Sequence, residues 1–446
     1  MLKSHISGFA GFFHSNPNRW LAAASLAILT ALVFTLASVA ANDAILPRSN
    51  HAQASKSQRS AGAANPSSSR ENRVQVLNAG LWRTDRGFNT TIRVTNLLVL
   101  GPLEVVPVLY MADGTRYELP SMTLPTAGEV ELNVNDALRA WSPAVAPHVS
   151  EFGSASLEYR YFSPGALSAT IQILDLTRSL IFTYCFGPAG GTQGSHTVEG
   201  VWWKHDEDVT GFVSLTNTTN RVLGADLTLL GANGKESKER SFTLQGRSVQ
   251  LVDLGELSER FRSKVQDQGG IRVEYQGASG DLLVTAGIQN DATGYSATVP
   301  FLMREGDPVK EAPHTYASVG MMVGMPDPMM SFPATTRFAP YAVLRNTTNK
   351  PLVVTSAIVY TNGGQPATVQ VPLKPLKPFS TEDIGLESLM SALGLGSLDG
   401  MINLAFTFNG RVRLRHHAEL YDTRPTLDTT SSRSASEREL AFGRFA

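Results

Sequence analysis

The sequence predicts an all-β fold of three tandem antiparallel β-sandwich domains, each with a short helical crossover, behind an N-terminal apolar helix and a flexible spacer. The first observation is internal repetition: residues 153–175, 269–291 and 400–422 form blocks of equal length that each begin with Gly and end with Asp. Apolar and polar residues alternate within every block, which is typical of strands that bury one face. The second observation is a long apolar run at residues 21–41.

The N-terminal region predicts export. The run at residues 21–41 is interrupted only by Ser and Thr and follows a short basic flank. Its length suits a bilayer-spanning helix, while the small residues Ser38 and Ala40 near its end suit cleavage of a signal peptide. Residues 1–41 are therefore a signal peptide or a membrane anchor. The basic flank stays in the cytoplasm, so we expect the body to be periplasmic, on the cell surface or secreted.

Polar stretches flank the patterned body of the chain. Residues 42–76 are rich in Ala, Ser, Asn and Gln, and residues 425–446 are rich in Ser and Thr. Such segments bury too little apolar surface to offset the entropy of ordering, so we expect a disordered spacer and a disordered tail. Between them the repeat predicts three domains, at residues 77–187, 200–303 and 319–424.

Each copy of the repeat extends upstream of its block. Asn96, Asn217 and Asn346 each close an alternating strand. A short helix is predicted ahead of each block, and it is clearest in the second copy, where Asp253 is a suitable N-cap. A turn follows the first strand of each block, and the Asn-Gly pair at residues 409–410 favours a β-hairpin there.

With short alternating strands and frequent turns, the three copies resemble in outline the immunoglobulin-like or fibronectin-type repeats of bacterial exported proteins. The resemblance covers residues 77–424 and rests on the strand pattern, and it implies tandem antiparallel sandwiches. The Cys…Trp…Cys signature of antibody domains is absent, because Cys185 is the single cysteine. A closed-barrel arrangement of the same strands is the alternative.

Composition excludes several classes of function. The chain has 446 residues with 38 basic and 39 acidic side chains, so no overall positive field would recruit nucleic acid. A single cysteine excludes an intramolecular disulfide, a Cys-based zinc site and a CxxC redox motif. The sequence also lacks a Walker A, HExxH or GxSxG motif. We therefore expect no catalytic residue, cofactor or metal site, and favour a non-enzymatic protein.

The third copy carries the candidate partner-binding residues. They are Met321, Met322, Met325, Met329 and Met330 in an insertion, and Arg411, Arg413 and Arg415 on alternating positions of one strand. Met and Arg are enriched in protein interfaces, so we expect a protein or polysaccharide partner there. Cu(I) binding and adaptable apolar packing are the alternatives for the methionines. For the arginines, simple solvation is the alternative.

Three weaker patterns have simpler interpretations. The acidic stretch at residues 205–208 suits a calcium loop or a solvated turn. Trp82 and Trp202 occupy similar positions in their copies and suit sugar stacking or core packing. The sequons that start at Asn89, Asn217 and Asn346 suit glycosylation or turn chemistry. In each case we expect the second interpretation.

The predicted function is that of an exported, non-enzymatic scaffolding or adhesion protein of the cell envelope. Its basis is a set of repeated modules behind an export signal and a spacer. The alternative is an exported enzyme or carbohydrate-binding accessory protein with its site in a divergent loop. The expected partners are the membrane, through residues 21–41 if they are not cleaved, and a protein or polysaccharide at the third copy, but not nucleic acid.

Overall fold

The computed structural model describes residues 73–140, 150–206, 208–235, 237–259, 268–291, 294–304, 314–317, 321–323, 338–362, 365–396, 400–408 and 415–422. These residues are predominantly β, with several antiparallel sheets, which confirms the predicted all-β class. They all belong to one compact unit, Ser69–Ala446. The predicted N-terminal helix, nearly all of the spacer and the tail lie outside the described residues. The first strand begins at Arg73, slightly before the predicted start of the body.

The strands fall into three consecutive groups along the chain. Group 1 contains β1 Arg73–Arg83, β2 Asn89–Asn96, β3 Leu103–Met111, β4 Arg116–Glu118, β5 Met122–Leu124, β6 Glu129–Asn133, α1 Val134–Ala140, β7 Phe152–Tyr161, β8 Leu167–Asp175, β9 Leu180–Cys185 and β10 Gly187–Pro188. Group 2 contains β11 Gln193–Lys204, β12 Val209–Asn217, β13 Leu223–Gly231, β14 Ser237–Leu244, β15 Val249–Asp253, α2 Leu254–Glu259, β16 Gln268–Ala278, β17 Leu282–Asn290, β18 Tyr295–Val299 and β19 Phe301–Arg304. Group 3 contains β20 His314–Ala317, β21 Met321–Val323, β22 Phe338–Arg345, β23 Val354–Asn362, β24 Gln365–Val371, β25 Thr381–Gly385, α3 Leu386–Ala392, β26 Gly400–Phe408 and β27 Arg415–Asp422.

Within the described ranges, each group contains two sheets, and the strand orders follow one rule. In group 1 the first sheet runs β10-β1-β7-β3-β4, with β5 also on β3, and the second runs β6-β2-β8-β9. Group 2 has β14-β13-β16-β11-β19 and β15-β12-β17-β18. Group 3 has β20-β26-β23-β24, with β21 also on β26, and β25-β22-β27. In every group the strand after the helix therefore lies at the centre of the first sheet.

The two strands of each repeated block do not form the predicted hairpin. β7 belongs to the first sheet of group 1 and β8 to the second, and the same holds for β16 and β17 and for β26 and β27. In an immunoglobulin domain the last two strands share a sheet, so these connections differ from that arrangement. Alternation could not reveal this, because it shows that a strand buries one face but not which sheet it joins. In group 1, the Tyr159 hydroxyl closes the crossing turn by donating to the carbonyl of Pro164 at 2.5 Å.

Each group has a cluster of buried apolar side chains that come from both of its sheets. In group 1, Val105 and Leu157 lie on the first sheet and Ile92 and Ile171 on the second, and all four are fully buried. Side chains of a strand alternate between its two faces. The alternation read from the sequence therefore marks the face that each strand turns toward this shared core.

The glycine that starts the first block makes room for a neighbouring strand and a tryptophan. A Cβ on Gly153 would lie 1.9 Å from the carbonyl oxygen of Tyr110 and 2.7 Å from the Trp82 ring. Trp82 is fully buried, and its indole N–H donates to the carbonyl of Ser154 at 2.8 Å. A β-bulge in β1 immediately precedes this tryptophan. Only glycine fits where the backbones approach so closely.

The same arrangement recurs in group 2, where the tryptophan is Trp203. Trp203 follows a bulge in β11 and lies opposite Gly269 in the strand register. Its indole N–H donates to the carbonyl of Leu230 at 3.0 Å, and a Cβ on Gly269 would lie 1.8 Å from that oxygen. The register therefore matches Trp82 with Trp203 rather than with Trp202. All three tryptophans are buried, as the core interpretation predicts.

Short helices lie at the predicted crossovers. α1, α2 and α3 each follow an edge strand of the second sheet, and each precedes the central strand of the first sheet. In α2 the Asp253 carboxylate accepts hydrogen bonds from the N–H groups of Gly255 and Glu256 at 2.7 and 3.2 Å, as an N-cap does. Leu254 and Leu257 bury the apolar face of this helix.

Candidate interaction surfaces

Most of the predicted partner-binding residues lie outside the described part of the chain. They are Met325, Met329, Met330, Arg411 and Arg413. Met321 and Met322 lie in β21, which pairs with β26. Arg415 begins β27 and lies opposite Arg345 in the register. The described methionines and the described arginine thus belong to different sheets of group 3, and the binding surface they were predicted to form stays a prediction.

In the acidic stretch at residues 205–208, Asp206 bonds the backbone that follows it. One Asp206 oxygen accepts from the N–H groups of Asp208 and Val209 at 3.0 and 2.8 Å, and the other lies 3.0 Å from the Lys204 ammonium. Burial favours the neutral acid, but these hydrogen bonds outweigh it and hold the pKa of Asp206 below its usual value. Across the ranges that the structure describes, no group of three or more His, Cys, Asp or Glu is placed to hold a metal ion.

The strand-closing asparagines are buried and organise the loops that follow them. The amide nitrogen of Asn217 lies within hydrogen-bonding distance of three backbone carbonyls, those of Arg221, Leu244 and Gln245. Its amide oxygen accepts from the N–H of Thr219 at 2.9 Å. Asn96 and Asn346 make corresponding contacts. The amides of Asn217 and Asn346 thus hold turns, as the simpler interpretation of their sequons predicts, whereas Asn89 begins β2.

Groups 1 and 2 meet in a buried junction, which we call junction 1–2. Phe212 of β12 belongs to the apolar cluster of group 1, and its ring packs edge-on against Phe182 with centroids 5.2 Å apart. Ser214 and Thr216 lie on the outward face of β12, and both hydroxyls donate to the carbonyl of Gly80. The second sheet of group 2 thus packs its outer face on group 1.

Edge strands extend junction 1–2. The Ser296 hydroxyl of β18 accepts from the N–H of Ile181 in β9 at 2.7 Å and donates to the carbonyl of the same residue at 2.9 Å. Two residues along each strand, the Thr298 hydroxyl accepts from the N–H of Thr183 at 3.1 Å. Side chains of β18 thus satisfy backbone groups of β9 that would otherwise be left at an open sheet edge.

An ion pair that spans both groups lies at the rim of junction 1–2. Arg178 lies 2.6 Å from Asp175, which ends the first repeated block, and 2.9 Å from Asp291, which ends the second. Asp175 is almost fully buried and also accepts from the Thr177 hydroxyl at 2.6 Å. Burial favours its neutral form, but the bonds from Thr177 and Arg178 outweigh this and hold the pKa of Asp175 below its usual value.

Groups 2 and 3 meet in a buried ion triad at junction 2–3. The guanidinium of Arg345 is fully buried and lies 2.6 Å from one oxygen of Glu199. The other Glu199 oxygen accepts from Arg272 at 2.9 Å. Gly270 makes room for the inserted side chain, since a Cβ there would lie 1.2 Å from the Arg345 guanidinium. A buried charge needs such a partner to offset its desolvation, so the triad couples β22 to β11 and β16.

The two junctions share one backbone contact. At junction 1–2 the N–H of Val249 donates to the carbonyl of Ala112 at 2.9 Å, and at junction 2–3 the N–H of Thr381 donates to the carbonyl of Ala232 at 2.9 Å. Val249 and Thr381 each begin the corresponding strand, β15 or β25, while Ala112 and Ala232 each follow β3 or β13. Group 3 therefore meets group 2 at the position where group 2 meets group 1.

Sequence reasoning missed the ion triad, although a signal for it was present. Thr95, Thr216 and Arg345 each precede a strand-closing asparagine. Arginine at a position that holds threonine in the other two copies indicates a distinct environment. Its partner Glu199, and Arg272, which bonds the same carboxylate, lie far away in the sequence, and only the fold brings them together.

Comparisons with known proteins return no relative: no protein-family model, no curated protein and no solved structure matches this chain. Among the helices in the described ranges, none has the length and apolar character to cross a membrane.

Proposed function

We propose that this chain is an exported, non-enzymatic scaffolding or adhesion protein of the cell envelope, built from three tandem β-sandwich modules that correspond to groups 1, 2 and 3. The observation that carries the proposal is the recurrence of one junction, in which the same backbone hydrogen bond links each group to the next. In stacked repeat proteins each unit contacts its neighbours through a repeated interface. A stack of this kind presents surfaces at a fixed distance from its tether.

Short, paired connections support a stiff stack. β10 pairs with β1 and β19 pairs with β11, so the chain stays attached to the first sheet of a group as it leaves for the next. Phe212 is buried at one junction and Arg345 at the other. Buried contacts between the units of a chain oppose their relative motion. Stiffness is what a scaffold or an adhesin needs to hold a distal surface away from the membrane.

Among the residues that the structure describes, the carboxylates with shifted pKa values support a structural role for these side chains. The lowered pKa values belong to Asp175 in group 1 and Asp206 in group 2, where hydrogen bonds outweigh burial. In group 3, burial raises the pKa of Glu382. Active sites gather perturbed groups in one cleft, whereas these three belong to three different groups of strands. This dispersal supports the non-enzymatic proposal.

Cell fractionation tests the exported location. The full chain with a C-terminal tag should be found outside the cytoplasm, either in the membrane fraction with an intact N-terminus or released with a new N-terminus close to residue 42. N-terminal sequencing distinguishes the anchored form from the released one. A full-length chain that stays in the cytoplasm would overturn the proposal.

Small-angle scattering and activity screens on the same exported protein test the remaining claims. A stiff stack should give one elongated pair-distance distribution that does not change with ionic strength. The same protein is then screened against envelope polysaccharides, glycoside substrates and ester substrates. Binding to a polysaccharide without turnover supports an adhesin. Turnover that one Ser or carboxylate substitution abolishes would replace the proposal with an enzyme.

A further inference from the structure

The outer face of the second sheet is a docking surface in group 2. It carries Ser214, Thr216, Val249 and Leu251, paired across β12 and β15. The first three are buried, and Leu251 packs against the apolar cluster of group 1. These side chains are small or apolar, so group 1 covers them without leaving a charge unpaired.

The same face has a different chemistry in group 1. By register across β2 and β6, Arg93, Thr95, Glu129 and Glu131 occupy the corresponding positions. Arg93 lies 3.1 Å from Glu129 and 3.4 Å from Glu131, and their side chains are 45%, 50% and 57% exposed. The register of β2 with β6 is that of β12 with β15. The two faces thus share a backbone and differ in their side chains.

We propose that this charged face of group 1 is an end cap, which closes the stack against docking by a second copy of this chain. The inference rests on the proposed stack of modules, but not on its proposed place in the envelope. Docking here would remove one arginine and two glutamates from water, a cost that a shape-complementary surface without matching charges does not offset. Stacked repeats need a terminal unit with a polar outer face to remain soluble. Arg93, Glu129 and Glu131 supply this face.

Conversion of the cap into the docking face of group 2 tests the proposal. The full chain would carry Arg93→Ser, Glu129→Val and Glu131→Leu, which are the residues of group 2 at these positions. In sedimentation velocity, the weight-average mass of this variant should rise with concentration to that of a dimer or larger, above the mass of the unmodified chain. Its melting temperature should change little, because exposed ion pairs contribute little to stability.

A matched control separates this face from a general loss of surface charge. Arg116 lies 2.5 Å from Glu118 and 3.1 Å from Glu158, again one arginine between two glutamates, and the three side chains are 43%, 53% and 31% exposed. Arg116→Ser, Glu118→Val and Glu158→Leu should leave the mass distribution unchanged. Restoring Glu129 in the cap variant should reduce its association.

Two results would overturn the end cap. One is a folded cap variant, checked by its circular dichroism and melting temperature, whose mass distribution equals that of the unmodified chain. The other is equal association of the cap variant and the Arg116 control. Both are read on purified protein, so neither depends on whether the chain is exported or binds an envelope partner.

Discussion

Junctions 1–2 and 2–3 have the same backbone contact and different side chains. At junction 1–2, Phe212 enters the core of group 1 while Ser214 and Thr216 donate to one carbonyl. At junction 2–3, the buried side chain that crosses from group 3 into group 2 is Arg345, which forms an ion pair with Glu199. The comparison teaches that the backbone sets where neighbours meet, while the side chains give each junction its own chemistry.

This difference discourages exchange of neighbours. Repeat proteins are prone to misassembly in which one unit docks on the wrong neighbour. Glycine marks the close approach at both junctions: a Cβ on Gly80 would lie 2.9 Å from the Thr285 methyl group, and one on Gly270 would overlap the Arg345 guanidinium. Glu199 pairs with Arg345 at one junction and the Gly80 carbonyl accepts from hydroxyls at the other, so an exchange of groups 2 and 3 would remove both sets of contacts.

The largest expected effect is at junction 2–3. Glu199→Ala leaves two arginines without their shared buried carboxylate, and removal of one partner from a buried pair costs about 3–5 kcal/mol. Chemical denaturation should show this loss in the free energy of unfolding. Adding Arg345→Leu should recover part of it, since the unpaired charge is removed. Equal losses for Glu199→Ala and for the exposed-pair control Glu129→Ala would contradict a buried triad.

A somewhat smaller loss is expected at junction 1–2. Phe212→Ala removes a buried ring from the core of group 1, for which large-to-small substitutions cost about 3 kcal/mol. Phe212→Leu keeps much of the apolar volume and should cost less than half as much by the same measurement. If Phe212→Ala is tolerated as well as Phe212→Leu, the ring does not hold the two groups together.

The rim of junction 1–2 should be sensitive to pH. The folded pKa of Asp175 lies below its usual value, so its ion pair with Arg178 stabilises the fold above about pH 4. That stability is lost as the pH falls through the lowered pKa. Asp175→Asn should therefore cost about 1.5–3 kcal/mol near pH 7, and the difference from the unmodified chain should shrink toward pH 2.

Thermal unfolding across this pH range provides the measurement. Asp136→Asn is the control, because the Asp136–Arg139 pair is largely exposed, and its effect should be small at every pH. If the loss of stability in Asp175→Asn does not depend on pH, the asparagine destabilises the fold for steric reasons rather than through loss of the negative charge.

The smallest effect is expected in the loop that follows Asn96, which, like the junctions, differs from copy to copy. Leu100 is 95% exposed, so Leu100→Ser should change the free energy of unfolding by less than about 0.5 kcal/mol. Leu109→Ser is the contrast, because Leu109 is fully buried and the change should destabilise strongly. A large effect of Leu100→Ser would mean that the loop is covered by a partner or by another part of the chain.

Particular residues show how much of the fold could be predicted. The alternation through Leu157 marked a buried strand face correctly, because side chains of a strand alternate strictly. The recurrent Gly153 and Asn96 marked positions with strong local requirements, a close backbone approach and a buried amide. The hairpin after Tyr159 was wrong, because sheet membership depends on partners that are distant in the sequence.

The candidate sites were predictable to a lesser degree. Met321 and Arg415 lie in strands of group 3, and the surface predicted around them stays a prediction. Glu199 and Arg345 are 146 positions apart, and no local pattern pairs them. Arg93 with its two glutamates reads as an ordinary solvated cluster until the register aligns it with the docking face of group 2.

The sequence by itself determined the features that depend on neighbouring residues: the one-sided strands, the recurrent glycines and asparagines, and the short helix that Asp253 caps. Tertiary structure decided which sheet each strand joins, which faces become junctions, and that Glu199 meets Arg345. The physical reason is the distance along the sequence over which each interaction acts. Backbone conformation and periodicity are set by adjacent residues, whereas the burial of a charge or a ring depends on the three-dimensional arrangement of distant strands.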